Sequence, residues 1–284
     1  MHWIVLAVLC TFAPLAAAQD RFFDAGGVRI RYVDHGAGTP VVLVHGFTAS
    51  IEPAWVETGI LPDLARDYRV IAFDLRGHGE SGKPHDPRAY DEIGLDAIRL
   101  LDHLGIQKAH IVGYSLGGII AAKLLTTHPD RFLSAVLGGA AHRRSQSERS
   151  DRAADEAARE IEAGVYRALL VSTAPTDEPP LAEEAIRKRS KEIAQRNDIL
   201  AHAALMRARR ALVVTDAEIA GIRVPAVAVV GAADPALPRV KAMKAAWPGL
   251  EIRVVPGAAH PTVHPRGLPR RSEFLEAIRS RIAP

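Results

Sequence analysis

His110-Ile111-Val112-Gly113-Tyr114-Ser115-Leu116-Gly117-Gly118 decides how this chain folds. His110 to Gly113 has the composition of a buried strand, and the apolar positions from Leu116 onward predict a helix that stops at His128-Pro129. Ser115 sits on the turn between the two. A turn that sharp holds its residue in a strained conformation and lifts the hydroxyl clear of the sheet, and glycines on both sides remove side chains that would collide there. A serine that only capped the helix would explain Ser115 but not Gly113 and Gly117. Ser115 is therefore a candidate nucleophile.

Working outward, three more continuous apolar runs, Val41–Val44, Val70–Phe73 and Ala226–Val230, lack alternation and predict strands buried on both faces of a parallel sheet. Leu133–Leu137 and Glu251–Val255 predict two further strands. Phe22-Phe23-Asp24 and Val28–Val33 alternate around Gly26-Gly27 and predict an antiparallel hairpin with one wet face. Helical spacing is read over Asp91–Leu104, ending at Gly105, and over about Arg271–Ile282. Between the strands at Leu137 and Ala226 the composition turns to Ala, Arg and Glu. Amphipathic spacing over Ala153–Leu170 and Leu181–Ala194 predicts several short helices there, not a linker. The expected organisation is residues 19–141 as the first part of a core domain, 142–215 as an inserted helical segment, and 216–284 as the second part of the core.

A serine hydroxyl needs a base to act near neutral pH, and the base needs an orienting group. His260 follows the strand at Glu251–Val255, and Asp234 follows the strand at Ala226–Val230. Each lies past the carboxyl end of its strand, and Ser, Asp, His is the chain order that such a sheet expects. After Leu137 the chain reads Gly138-Gly139-Ala140-Ala141-His142, which offers no carboxylate, so Asp234 is the expected acid. His260, and not His264, is the expected base. Two backbone N–H groups must face the charge that develops during acyl transfer, and those of Phe47 and Leu116 are the candidates. His45 is expected to shape its loop, not to act as a base.

These residues together resemble the α/β-hydrolase superfamily, over essentially the whole chain after the N-terminal apolar run. The resemblance is carried by His45-Gly46-Phe47-Thr48, by Asp74-Leu75-Arg76-Gly77-His78-Gly79-Glu80-Ser81, by Gly113-Tyr114-Ser115-Leu116-Gly117-Gly118, and by the Asp234 and His260 loops. Ala258-Ala259-His260 departs from the commoner glycine before the histidine. The resemblance implies an α/β fold with a mostly parallel eight-stranded sheet and an all-helical cap after the sixth strand. It also implies that Asp74, Arg76 and His78 are architectural. Members with an aspartate nucleophile include haloalkane dehalogenases and many epoxide hydrolases, and Ser115 argues against both activities here.

The expected function is serine hydrolysis of a carboxylic ester with no cofactor and no metal. Carbon–carbon or lactone cleavage by the same triad, and a receptor-like binding protein on the same fold, stay open. A lipase is less favoured, because residues 142–215 hold a single aromatic, Tyr166. Composition bounds the partners. Of 284 residues, 48% are apolar and 24% charged, which describes a foldable core; Lys plus Arg is 36 against 33 Asp plus Glu, and aromatics make only 5%. Neither the basic concentration nor the stacking platforms of a nucleic-acid binder are visible. A small-molecule substrate is expected, with oligomeric state open. The lone Cys10 excludes an intramolecular disulfide and a Cys-ligated metal site. Residues 1–18 read as an export signal, since the run Ile4–Leu9 ends at Ala16-Ala17-Ala18 and is shorter than the roughly 20 apolar residues that span a bilayer. A periplasmic or secreted mature chain without stable membrane insertion is expected. Met1 and His2 supply no Lys or Arg, which leaves an uncleaved anchor open.

Overall fold

The computed structural model describes residues 20–142, 147–261 and 267–283. The N-terminal apolar run with Cys10, and His264, lie outside the described residues.

Eight strands form one sheet. They are β1 (Arg21–Asp24), β2 (Arg29–His35), β3 (Pro40–Val44), β4 (Arg69–Phe73), β5 (Ala109–Tyr114), β6 (Phe132–Gly138), β7 (Ala226–Gly231) and β8 (Glu251–Val255). Their spatial order is β1-β2-β4-β3-β5-β6-β7-β8. The β1–β2 and β2–β4 pairs are antiparallel, and all others are parallel, with Val41 beside Val70 and His110 and Val227 beside Glu251. The apolar runs fail to alternate because both faces are covered. Val42, Val44, Ile71, Phe73, Ile111, Leu137, Ala228 and Val230 belong to one core, and Val41, Leu43, Val70, Ala72, Val112, Val136, Val227 and Val229 to the other. Period-two geometry sends neighbours in one strand to opposite cores.

The connections are helical. Helix α1 (Ile60–Leu64) packs Ile60, Leu61 and Leu64 beside Trp55 in the second core; it is too short to show a period, and the sequence reading missed it. Helix α2 (Leu95–His103) starts four residues later than its apolar spacing predicts. Pro87 opens a tight turn over Pro87–Tyr90, and i→i+3 bonds such as Ile93 N–H to Tyr90 O carry the chain to Gly94 before α-helical bonding begins. Helix α3 (Leu116–Thr127) follows the predicted bounds.

Between β6 and β7 the described residues form helices and turns but no strand. Helix α4 (Glu148–Glu162) opens on a reciprocal Ser147–Ser150 cap. The single amphipathic run expected over Ala153–Leu170 is broken at Gly164, whose φ of 75° the helix cannot continue, and α5 (Arg167–Thr173) follows. Next come α6 (Glu183–Arg196), α7 (Ile199–Arg207) and α8 (Asp216–Ala220). Ala157, Ala158 and Ile161 of α4 pack with Ala203 and Met206 of α7 and with Tyr166, and Phe47 of the core packs against that cluster. His142 and Asp216, where the segment leaves and rejoins the core, are joined by a 2.7 Å Nε2–Oδ1 contact. Helix α9 (Leu237–Ala246), unread in the sequence, buries Val240 and Met243, and α10 (Ser272–Ile282) buries Phe274 and Ile278. The topology gathers the loops after β3, β4, β5, β7 and β8 at the carboxyl end of the parallel strands, where open α/β sheets bind ligands.

Candidate active site

Ser115 takes φ 53° and ψ −113°, one of two non-glycine residues with positive φ among those described. Backbone contacts enforce that conformation. The Ser115 N–H donates to Gly138 O at 2.8 Å, and Ile119 N–H donates to Ser115 O at 3.1 Å. A Cβ on Gly117 would stand 2.0 Å from Val44 O, so helix α3 starts against β3 at a distance only glycine permits. The Ser115 side chain makes no capping bond to α3. Its Oγ instead lies 3.0 Å from His260 Nε2.

His260 Nδ1 is 2.8 Å from Asp234 Oδ2. A carboxylate can only accept, so the proton of the neutral ring sits on Nδ1 and the Nε2 lone pair faces the serine hydroxyl. Asp234 is 1% exposed, and its other oxygen, Oδ1, accepts from Ala236 N–H at 2.7 Å. The structure thus brings together Ser115, His260 and Asp234 from three separate loops.

Two further residues shape this line and were missed from sequence. Tyr114, inside the motif itself, lies beneath the His260 ring with centroids 5.6 Å apart, and its hydroxyl donates to His260 O. Burial, and then the nearby Asp234 charge, push its phenol well above the ordinary range, so it remains a neutral donor. Gly139, at φ 56°, closes the other side: a Cβ there would come within 3.2 Å of both Asp234 Oδ2 and the His260 ring. The Gly138-Gly139 pair is visible in the sequence and permits this positive φ, but the sequence does not show what Gly139 lies against.

The loop after β3 passes directly over Ser115, since a Cβ on Gly46 would lie 3.2 Å from Ser115 Cβ. The next residue is Phe47, and Thr48 beyond it takes φ 64°. Among the described residues neither the Phe47 nor the Leu116 N–H has an intramolecular acceptor. His45 is fully buried; its Nδ1 contacts Gly46 O at 2.8 Å and its Nε2 accepts from Leu75 N–H at 3.0 Å. Both ring nitrogens are engaged in tying the β3 and β4 loops together. Burial holds His45 below its ordinary pKa.

The loop after β4 is a scaffold. Buried Asp74 accepts from Ile51 N–H and Glu80 N–H, each at 2.9 Å, and pairs with Arg31 at 3.1 Å. Arg76 spans from Asp96 to the Ala25 carbonyl. His78 is buried beside His202 of α7, with ring centroids 4.5 Å apart. Among the described residues no group of three or more His, Cys, Asp or Glu side chains is arranged to hold a metal, and no helix is long and apolar enough to cross a membrane.

Residues 39–264 match the alpha/beta hydrolase fold family, and the chain belongs to it. It is similar to the dihydrolipoyllysine-residue acetyltransferase component of the acetoin cleaving system of Cupriavidus necator, 39% identical over 123 residues, 43% of this chain and 32% of that protein. It is also similar to 2-hydroxymuconate semialdehyde hydrolase of a Pseudomonas species, 40% identical over 119 residues, 41% of this chain and 42% of the relative. The chain thus spans less than half the length of these curated relatives. Among solved structures, an N-acyl homoserine lactone degrading enzyme superposes with a TM-score of 0.68 at 25% identity, covering 92% of this chain and 99% of its own.

Proposed function

We propose that the protein is a serine hydrolase of carboxylic esters acting through an acyl-enzyme. The observation that carries this reading is the unbroken contact line from Ser115 Oγ to His260 Nε2 at 3.0 Å and from His260 Nδ1 to Asp234 Oδ2 at 2.8 Å. Ser115 Oγ attacks the ester carbonyl carbon while its proton passes to Nε2. Asp234 stabilises the resulting imidazolium. The carbonyl oxygen becomes an oxyanion that accepts hydrogen bonds from the Phe47 and Leu116 N–H groups, each such donor being worth about 10²–10³ in turnover. Collapse of the tetrahedral species expels the alcohol, which takes the proton from His260. Water, deprotonated by the same base, then releases the acid and restores Ser115.

A lactone is an ester closed on itself and calls on the same steps. The likeness to the lactone-degrading structure over nearly its whole length favours lactones as a second substrate class to test. The test is fluorophosphonate labelling of the parent and of Ser115→Ala, followed by turnover of short esters, long esters and lactones. The parent should label and turn over; Ser115→Ala should not label and should lose on the order of 10⁶-fold in turnover. Full activity in Ser115→Ala would remove the serine from the chemistry.

A further inference from the structure

Phe47 is held by more than its own loop. Its ring centroid lies 4.6 Å from that of His202, 5.7 Å from His78 and 6.5 Å from Tyr166. His78 meets His45 edge-on at 5.3 Å and His202 at 4.5 Å. His45 and His78 come from the loops after β3 and β4. Tyr166 and His202 come from the helical segment, at the head of α5 and on α7. The Phe47 ring is therefore bracketed from two sides, by the core and by the inserted helices. Aromatic rings at such separations attract beyond simple area burial, with an orientation preference that aliphatic contacts lack.

The cap side of the bracket is itself fixed. His202 is fully buried, its Nδ1 lies 3.0 Å from the Tyr166 hydroxyl, and Tyr166 N–H donates to Ser190 Oγ of α6 at 2.9 Å. Burial pushes His202 down to about 3 and His78 well below its usual value, so both present neutral rings. Among the described residues the Nε2 atoms of His78 and His202 have no hydrogen-bond partner. Burying two unpaired polar atoms is unfavourable, so hydrogen bonding at these atoms does not explain the pair, whereas ring packing on Phe47 does.

The Phe47 N–H lies in a loop whose next residue, Thr48, holds a left-handed φ of 64° that costs energy outside glycine. A loop that carries such strain keeps its conformation only where its surroundings hold it, and the packed Phe47 ring is one such hold. We infer that His202 is a positioning residue: its ring, carried in on α7, holds Phe47 so that the Phe47 N–H faces the developing oxyanion, and seating of the helical segment completes the oxyanion hole. The inference rests on the ester-hydrolase reading above.

The experiment compares full-length parent, His202→Ala and His202→Phe on a short p-nitrophenyl ester. In parallel it measures binding of a trifluoromethyl ketone, whose hemiketal with Ser115 places an oxyanion in the hole. His202→Ala should lower kcat about tenfold or more and weaken the ketone by a similar factor, while KM moves by less than about threefold. His202→Phe should restore both to within about threefold of the parent, because it keeps the ring. Unchanged kcat and ketone affinity in His202→Ala overturns the inference, as does equal damage in the Ala and Phe variants. A raised KM with kcat intact also overturns it, by making His202 a substrate contact. If thermal melting shows that His202→Ala does not fold, His202→Leu decides. Keeping the bulk but not the aromatic ring should lower kcat and ketone affinity together relative to His202→Phe, and values equal to those of the parent overturn the inference. A parent that neither turns over esters nor binds the ketone at Ser115 sinks the ester reading and this inference with it.

Discussion

Replacing Ser115 by glycine should make the protein more stable than replacing it by alanine, although both remove the proposed nucleophile. Ser115 holds φ 53° and ψ −113°, outside the regions open to residues with a Cβ. Such a conformation costs about 1–3 kcal/mol and persists only where the surroundings over-determine it. Here they do, through the Gly138 carbonyl, the first turn of α3 and the Gly117–Val44 approach. Alanine retains the Cβ and the strain, whereas glycine relieves the strain and loses about 0.5–1 kcal/mol to the greater freedom of its unfolded chain. Both variants lose the same contact to His260, so it cancels in the comparison. Taking the middle of each range, the net advantage of glycine is about 1 kcal/mol, and at about 2–4 °C per kcal/mol for a chain of this size it raises Tm by about 2–4 °C. Thermal and urea denaturation of the two purified variants, side by side, measure the difference. A glycine variant equal to or less stable than the alanine variant would refute the claim that the elbow stores backbone strain.

Asp234→Asn should leave the fold intact and lower kcat by roughly 10⁴-fold, because an amide stabilises the wrong imidazole tautomer. Steady-state kinetics on a variant of unchanged circular dichroism check this, and near-normal turnover would take Asp234 out of the triad. Gly117→Ala should lose about 4 kcal/mol or more, since its Cβ would meet the Val44 carbonyl at 2.0 Å and the His45 carbonyl at 2.7 Å, both of them backbone. Soluble yield and Tm read this out, and a well-folded alanine variant near parental Tm would contradict the close approach. His45, His78 and His202 are held neutral below their ordinary pKa by burial, so the unfolded chain binds protons that the fold does not. Their contribution is fully present above about pH 6.5 and is lost as pH falls below it toward the folded values. In urea unfolding between pH 7.5 and 4.5, His202→Phe should therefore lose stability less steeply than the parent, by up to about 1.4 kcal/mol per pH unit, and identical slopes would argue against a buried neutral His202.

Local constraints were legible in the sequence because they are written in neighbouring residues. Gly113 and Gly117 around Ser115 report a turn with no room for side chains, and the structure shows the close approaches that demand them. The unalternated runs at Val41–Val44, Val70–Phe73 and Ala226–Val230 report burial on both faces, and each is a central strand between two cores. The start of α2 and the break at Gly164 were misplaced because apolar spacing continues through both points, while the backbone turns on Pro87 and on a positive φ. Helix α1 is too short to express a period, and α9 follows Asp234-Pro235 so closely that the segment reads as a turn.

Other features depend on residues far apart in the chain, and only the tertiary structure decided them. His260 reaches Ser115 across 145 positions and Asp234 across 26, and the sequence could offer only their order and their places after strands. Gly139 looks like an unused alternative site for the acid; in three dimensions it lies against the Asp234–His260 pair, where a Cβ would come within 3.2 Å of both. Nothing near His202 in the chain marks it, because its meaning comes from how α7 is turned toward Phe47 and His78. Backbone sterics act between neighbours and leave their mark on the local sequence. Side-chain contacts between distant loops are set by strand order, register and helix rotation, which no single stretch of residues encodes.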